Sequence, residues 1–161
     1  MLERKIILGI DPGSLKTGFG VISQDCSGAV SHVAHGTIVL DSKKKLSERI
    51  ADLAQDLCEV LDKYRPDYAV VEDVFFCKNA RSALVLGQAR GAALAILGLK
   101  KIPVEAISPT QVKSLVAGRG QALKFQVAHI VAIQLGIVVP NSEDASDALA
   151  LALARSVVGF L

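Results

Sequence analysis

Four acids stand where burial makes acids costly. Asp11 closes the apolar run KIILGID (5–11), Glu72 lies near the end of a second run, YAVVEDV (68–74), and Asp144 and Asp147 are three residues apart in SEDASDALALALA (142–154). If the two runs are parallel, neighbouring strands, Asp11 and Glu72 emerge together at their carboxyl ends, where open α/β sheets place ligands. Asp144 and Asp147, in the first turn of a helix, share one face. Taken singly, Glu72 fits an ordinary strand end, and the helix N-terminus favours each aspartate by roughly 0.3–1 kcal/mol. Taken together they repel: two like charges about 4 Å apart cost roughly 1 kcal/mol in water and 4 at an effective dielectric of 20. An all-oxygen donor set without His or Cys suits Mg²⁺ or Mn²⁺, and two such ions balance four carboxylates. That chemistry supports in-line hydrolysis of a phosphodiester, one ion activating water and both stabilising the oxygens on either side of phosphorus. The turn GIDPGSLKTG (9–18) adds glycines that allow a phosphate or metal to approach beside Asp11.

The elements that must position these acids are read from periodicity. KIILGID and YAVVEDV are short, continuous apolar runs, the pattern of strands covered on both faces. GFGVI (18–22) and GTIVL (36–40) read as two further strands, with SQDCSG (23–28) as the turn between them. Ile50, Leu53, Leu57, Val60, Leu61 and Tyr64 recur at helical spacing, predicting a helix over 46–64 that RPD (65–67) stops. Asn79 is a candidate N-cap for a helix to about Leu99, and KIPVEAI (101–107) reads as a fifth strand. Ser108 followed by Pro109 opens another helix. VAGRGQ (116–121) interrupts it, ALKFQVAHIVAIQLG (122–136) resumes helical spacing, and Asn141 or Ser142 caps a last helix ending near Val158. This order predicts an α/β fold: one domain over 1–161, a five-stranded mixed sheet with an antiparallel opening meander followed by parallel strands, and helices on both faces.

Composition narrows the partners. A chain of 161 residues, 51% hydrophobic, with 13 glycines and five prolines, is globular, and at that length folding buries roughly 70% of the extended surface. The net charge of +2 requires any nucleic-acid face to be a local one. Cys26, Cys58 and Cys77 are odd in number and unclustered, as expected of reduced thiols in a cytoplasmic protein. The start, MLERKIILGID, lacks a long apolar leader, and SALVLGQARGAALAILGL (82–99) carries Gln88 and Arg90, which make it a poor membrane span. His129, among Val127, Ile130 and Val131, is expected to be structural or solvent-facing, and Lys43–Lys45 to form a solvated loop.

DPGSLKTG (11–18) resembles the first phosphate loop of the actin, Hsp70 and sugar-kinase ATPases, which build a nucleotide site from two duplicated halves; this chain has the length of one. A more extensive resemblance runs from Ile6 to about Arg155. GIDPGSLKTGFGVI, VVEDVFFCKNARSALVLGQARG, VKSLVAGRGQALKFQV and DASDALALALA, in that order, are similar to the blocks of the RuvC family of bacterial Holliday-junction resolvases. The resemblance implies a ribonuclease-H-like fold and a homodimeric, Mg²⁺-dependent endonuclease that cuts two opposed strands of a four-way DNA junction in recombination and repair. It places the family's catalytic, metal-binding acids on Asp11, Glu72, Asp144 and Asp147; some members carry histidine at the last position. Lys113 and Lys124 fall on basic residues that touch the scissile region, with catalytic and DNA-binding roles. Phe75 falls on the aromatic that stacks on an unpaired base, and Lys78, Arg81 and Arg119 are further candidates for phosphate contact. The resemblance also implies work alongside the RuvA and RuvB branch-migration proteins. Gly87, Gly91 and Ala95 form a small-residue stripe suited to helix pairing at a two-fold axis. Two other readings stay open at this point, a junction-binding module without catalysis and a small phosphate-loop protein akin to the ATPases or to resolvase-like RNA-processing proteins.

Overall fold

The computed structural model describes residues 4–73 and 79–158. Five strands, β1 (Lys5–Asp11), β2 (Lys16–Gln24), β3 (Val30–Val39), β4 (Tyr68–Glu72) and β5 (Val104–Ile107), form one sheet in the order β3-β2-β1-β4-β5. The first three are antiparallel neighbours, and β4 and β5 run parallel to β1, so the expected mixed sheet is present. Helix α1 (Leu46–Tyr64) links β3 to β4, α2 (Ala80–Leu99) precedes β5, and α3 (Pro109–Ala117), α4 (Lys124–Leu135) and α5 (Glu143–Val158) follow.

Strand alternation sends successive residues to opposite layers. Ile7, Ile22 and Val70 pack beneath α3, α4 and α5, while their neighbours Leu8, Val21 and Val71 pack against α1 and α2. Helix α1 contributes Leu53, Leu57 and Leu61 at one-turn intervals, each burial worth roughly 1.5–3 kcal/mol. Caps mark the helix starts. Asn79 Oδ1 accepts from Arg81 N at 2.8 Å, and Ser108 and Gln111 bond reciprocally, Ser108 N donating to Gln111 Oε1 at 3.0 Å. Gly118, at φ +73°, ends α3 in the left-handed conformation that glycine favours.

Helix α5 is buried almost all round from Ala145 to Ser156, as befits a helix apolar on every side. Its seat is made of glycine. Gly9 and Gly20 are directly paired across β1 and β2, and a Cβ on Gly9 would lie 1.9 Å from the carbonyl oxygen of Ala148. A Cβ on Gly18 would lie 1.9 Å from that of Asp144. The helix backbone thus rests on the strand backbone. At the opposite end, Arg155 Nε reaches Glu105 Oε2 of β5 at 2.6 Å.

Two expectations change. The third strand begins at Val30 rather than Gly36, with a bulge between Val21 and Ile22 in its pairing to β2 that breaks the two-residue period. Helix α2 has the length and apolar composition of a membrane span despite Gln88 and Arg90. Its apolar residues serve two faces: Ala89, Ala93, Ile96 and Leu97 are buried inside, while Leu84, Gly87, Gly91, Ala95 and Leu99 are exposed.

Candidate active site

One row across the sheet positions the acids. Thr37 of β3 pairs with Gly18 of β2, which pairs with Asp11 of β1. Thr37 Oγ1 lies 2.7 Å from Ser142 Oγ, and that hydroxyl accepts from Ala145 N at 3.3 Å, so of the two candidate caps Ser142 engages the first turn of α5. Gly18 receives the Asp144 carbonyl beside it. Asp11 follows Gly9 by two residues and Glu72 follows Val70 by two, which turns both carboxylates toward α5.

The electrostatics register this crowding. Burial, and then the charges of Glu72, Asp147 and Asp144, push Asp11 up to about 8, against which Lys124 pulls only weakly. Glu72 is also raised, by burial and then by Asp147, while its hydrogen bond with Asp11 and the charge of Lys124 act the other way. At neutral pH the pair therefore keeps a proton, with Asp11 as the donor to Glu72. Lys124, the first residue of α4, bonds Asp147 Oδ2 at 2.8 Å, and this bond holds its ammonium above the ordinary lysine value. A narrow cleft of about 50 Å³ lies between Glu72, Lys113, Lys124 and Asp147, with Val112, Val127 and Leu151 among its apolar walls.

The structure brings together Asp11, Glu72, Asp144, Asp147, Lys113 and Lys124. Glu143 lines a different cavity, as one residue's rotation along the helix demands. Arg81 is exposed in the first turn of α2, and Arg119 donates to Gln126 Oε1 at 3.2 Å, outside the cleft lining. Phe75 and Lys78 lie outside the described residues. His129 is exposed, its Nδ1 3.0 Å from Phe125 O. Cys26 and Cys58 are free thiols.

Glycine spacing at the turn misleads. The space a Gly13 Cβ would fill is held by the carbonyl of Lys16, and Gly18 accommodates α5, so both close approaches are made by the chain itself. Arg90 was not a sequence candidate. Its Nε donates to the Glu72 carbonyl at 3.0 Å and its Nη2 to Asp73 Oδ1 at 3.3 Å, tying α2 to the end of β4; an arginine within an apolar helix was the available cue.

Among the described residues, no three His, Cys, Asp or Glu side chains are arrayed to hold an ion as they stand. Asp147 is turned to Lys124, and Asp11 and Glu72 share a hydrogen bond. The donor chemistry nonetheless fits a hard divalent cation. The atoms are all carboxylate oxygens, and the burden that raises Asp11 and Glu72 is one that positive charge relieves.

A sheet in this order, with acids at the carboxyl ends of β1 and β4 and at the start of a helix crossing them, defines a protein of the ribonuclease-H-like fold with an acidic site. The chain belongs to the crossover junction endodeoxyribonuclease RuvC family, whose model matches residues 7–155. It is 46% identical over 151 residues to the RuvC crossover junction endodeoxyribonuclease of Citrifermentans bemidjiense, covering 94% of this chain and 92% of that protein. The corresponding protein of Xanthomonas oryzae pv. oryzae is 43% identical over 152 residues, covering 94% and 87%. Among solved structures, Thermus thermophilus RuvC in complex with a Holliday junction substrate superposes with a TM-score of 0.90 at 32% identity, covering 96% of this chain and 94% of that one.

Proposed function

We propose that this protein resolves four-way DNA junctions by hydrolysing a phosphodiester in each of two opposed strands. The observation that carries the proposal is the burial of Asp11 among Glu72, Asp144 and Asp147, beside two lysines, in a chain of this family. Asp11, Glu72, Asp144 and Asp147 hold Mg²⁺, two ions per site, with Mn²⁺ able to substitute. Bound there, the ions supply an activated water and charge stabilisation at phosphorus. The chain's own groups do the rest. Lys113 and Lys124 present ammonium groups at the cleft, where they hold the scissile phosphate and offset charge that grows on its oxygens. The proton kept between Asp11 and Glu72 must leave before both can act as ligands, so metal binding releases it and metal affinity rises with pH.

Cutting two symmetry-related strands calls for two sites, and a homodimer supplies them. The exposed face of α2 is the proposed contact, since among the described residues nothing lies within 4 Å of a Cβ at Gly87 or Gly91, and Leu84 and Leu99 flank them in solvent. Arg81 and Arg119 extend the DNA face beyond the cleft, and Phe75 and Lys78 are proposed as further DNA contacts on the family resemblance alone. Free thiols at Cys26 and Cys58 accord with work in the cytoplasm, alongside RuvA and RuvB.

The test compares the native protein with Asp11→Asn on a labelled four-way junction and on a linear duplex of the same sequence, with Mg²⁺ and with EDTA. Paired symmetric nicks are expected in the junction only, lost with the variant or the chelator while junction binding persists. Tight binding without nicks would make the protein a junction-binding module. Neither binding nor cutting would overturn the proposal altogether.

A further inference from the structure

Arg90 reaches the acid site from the far side of the sheet. Its helix, α2, sets Ala89 and Ala93 among Leu8, Ile10 and Val71, in the layer opposite α5. The Glu72 carboxylate turns the other way, into the cleft with Lys113, Lys124 and Asp147. What Arg90 meets at Glu72 is therefore the main chain. Its Nε donates to the Glu72 carbonyl at 3.0 Å, and its Nη2 to Asp73 Oδ1 at 3.3 Å. Both side chains of that ion pair are largely withdrawn from solvent.

The ladder explains why this carbonyl takes its donor from a helix. Along β4 the peptide groups face β5 and β1 by turns. Ala69 N donates to Pro103 O at 2.9 Å and Asp73 N to Ile107 O at 3.0 Å, both on the β5 side, so the N–H and carbonyl of Glu72 face β1. With Ile10 beside Val71 in the parallel register, the N–H due at the Glu72 carbonyl is that of residue 12. Residue 12 is a buried proline and has none. A carbonyl left there without a donor is costly, and Arg90 supplies one.

We propose that Arg90 is a positioning residue: by capping the carbonyl that Pro12 leaves unpaired, it fixes the end of β4 and so holds the Glu72 carboxylate where it can meet Asp11 and a divalent cation. The role of the cation rests on the reading proposed above; the cap itself does not. The charges that bear on the Glu72 carboxyl are those of Asp147 and Lys124, so Arg90 acts through the backbone and not through its field. The competing role is a plain fastening of α2 to the sheet, which would change stability and leave Glu72 as it is.

The experiment takes two readings on the full chain, native and with Arg90→Met, Arg90→Met combined with Pro12→Ala, and Arg90→Lys. The first is metal-free. In EDTA at fixed pH, the carboxyl-carbon NMR signal of Glu72 should be set apart from those of exposed glutamates by its bond with Asp11, and should move toward them in Arg90→Met. It should return in the double variant, where residue 12 regains an N–H for the carbonyl. The second reading is Mn²⁺ affinity without DNA, followed by the paramagnetic resonance of the free ion. Arg90→Met should bind Mn²⁺ about tenfold more weakly, and the double variant should recover most of that loss. Arg90→Lys keeps a donor for one of the two acceptors, should fall between, and takes the place of Arg90→Met if that variant does not fold. A Glu72 signal that stays put in Arg90→Met, an Mn²⁺ affinity unchanged while the signal moves, or losses that the N–H at residue 12 fails to reverse would each overturn the proposal and leave Arg90 as a fastening. A native protein that binds no Mn²⁺ while the Glu72 signals behave as expected would refute the metal reading alone and leave Arg90 as the holder of Glu72.

Discussion

Asp11→Asn should make the protein more stable while destroying its activity. With Asp11 at about 8 in the folded chain and 3.8 as its ordinary value, the folded state holds a proton that the unfolded state releases across that range. A raised acid of this kind loses stability as pH climbs from about 4 through about 8, and at pH 7 the cost to folding is about 4 kcal/mol. Asparagine carries no charge to desolvate and can still donate to Glu72, so most of that cost disappears. In a 161-residue domain each kcal/mol is worth roughly 2–4 °C, and the variant should melt about 6–16 °C above the native protein at pH 7 in EDTA. The gap should close by pH 4. Added Mg²⁺ should raise the melting temperature of the native protein and do so much less for the variant, since binding to the folded state alone stabilises it. The measurement is thermal unfolding between pH 4 and 9, with EDTA and with Mg²⁺. A variant less stable than the native protein at pH 8, or a stability difference between the two that fails to grow from pH 4 to pH 8, would refute the picture of a crowded, protonated acid.

Gly18→Ala should push a methyl against the Asp144 carbonyl, cost about 1–3 kcal/mol in denaturant unfolding, and slow junction cutting about 100-fold through misplacement of α5. Lys113→Ala should slow single-turnover cleavage about 100-fold while junction affinity in gel-shift assays changes far less; equal cleavage rates would remove Lys113 from the chemistry. Gly91→Lys should leave folding intact, because among the described residues nothing lies within 4 Å of a Cβ there, yet yield a monomer in ultracentrifugation that no longer nicks both strands together. A dimer that survives this change would place the two-fold contact elsewhere.

Where local chemistry decides a boundary, the boundary was legible in the sequence. The apolar spacing predicts α1 over 46–64, and Asn79 and the Ser108–Pro109 step mark the starts of α2 and α3 that the structure shows. The third strand was only half legible. Its first residues alternate polar and apolar at a sheet edge, and the bulge near Val33 shifts the phase, so GTIVL alone carried a strand pattern. The acids could be grouped because two strand ends and one helix start bring them together by periodicity alone. How they are held could not be read. The pairing of Gly9 with Gly20 and of Gly18 with Asp11 and Thr37 is a property of register, and no local pattern reports which backbone crosses above a glycine. Arg90 was hidden for a similar reason, since the shorter of its two bonds goes to a main-chain carbonyl that any residue would offer.

The glycine seat of α5 has a consequence for how such a sequence can drift. In the α1 and α2 layer, side chains of similar volume can replace one another, and small misfits are spread over many flexible neighbours. Between Gly9, Gly20 and the backbone of Ala148 there is no side chain to adjust. Substitutions should therefore accumulate freely on one side of the sheet and scarcely at all at three positions on the other. Gly9, Gly18 and Gly20, each set against the backbone of α5, should be as intolerant of change as the acids whose spacing they set.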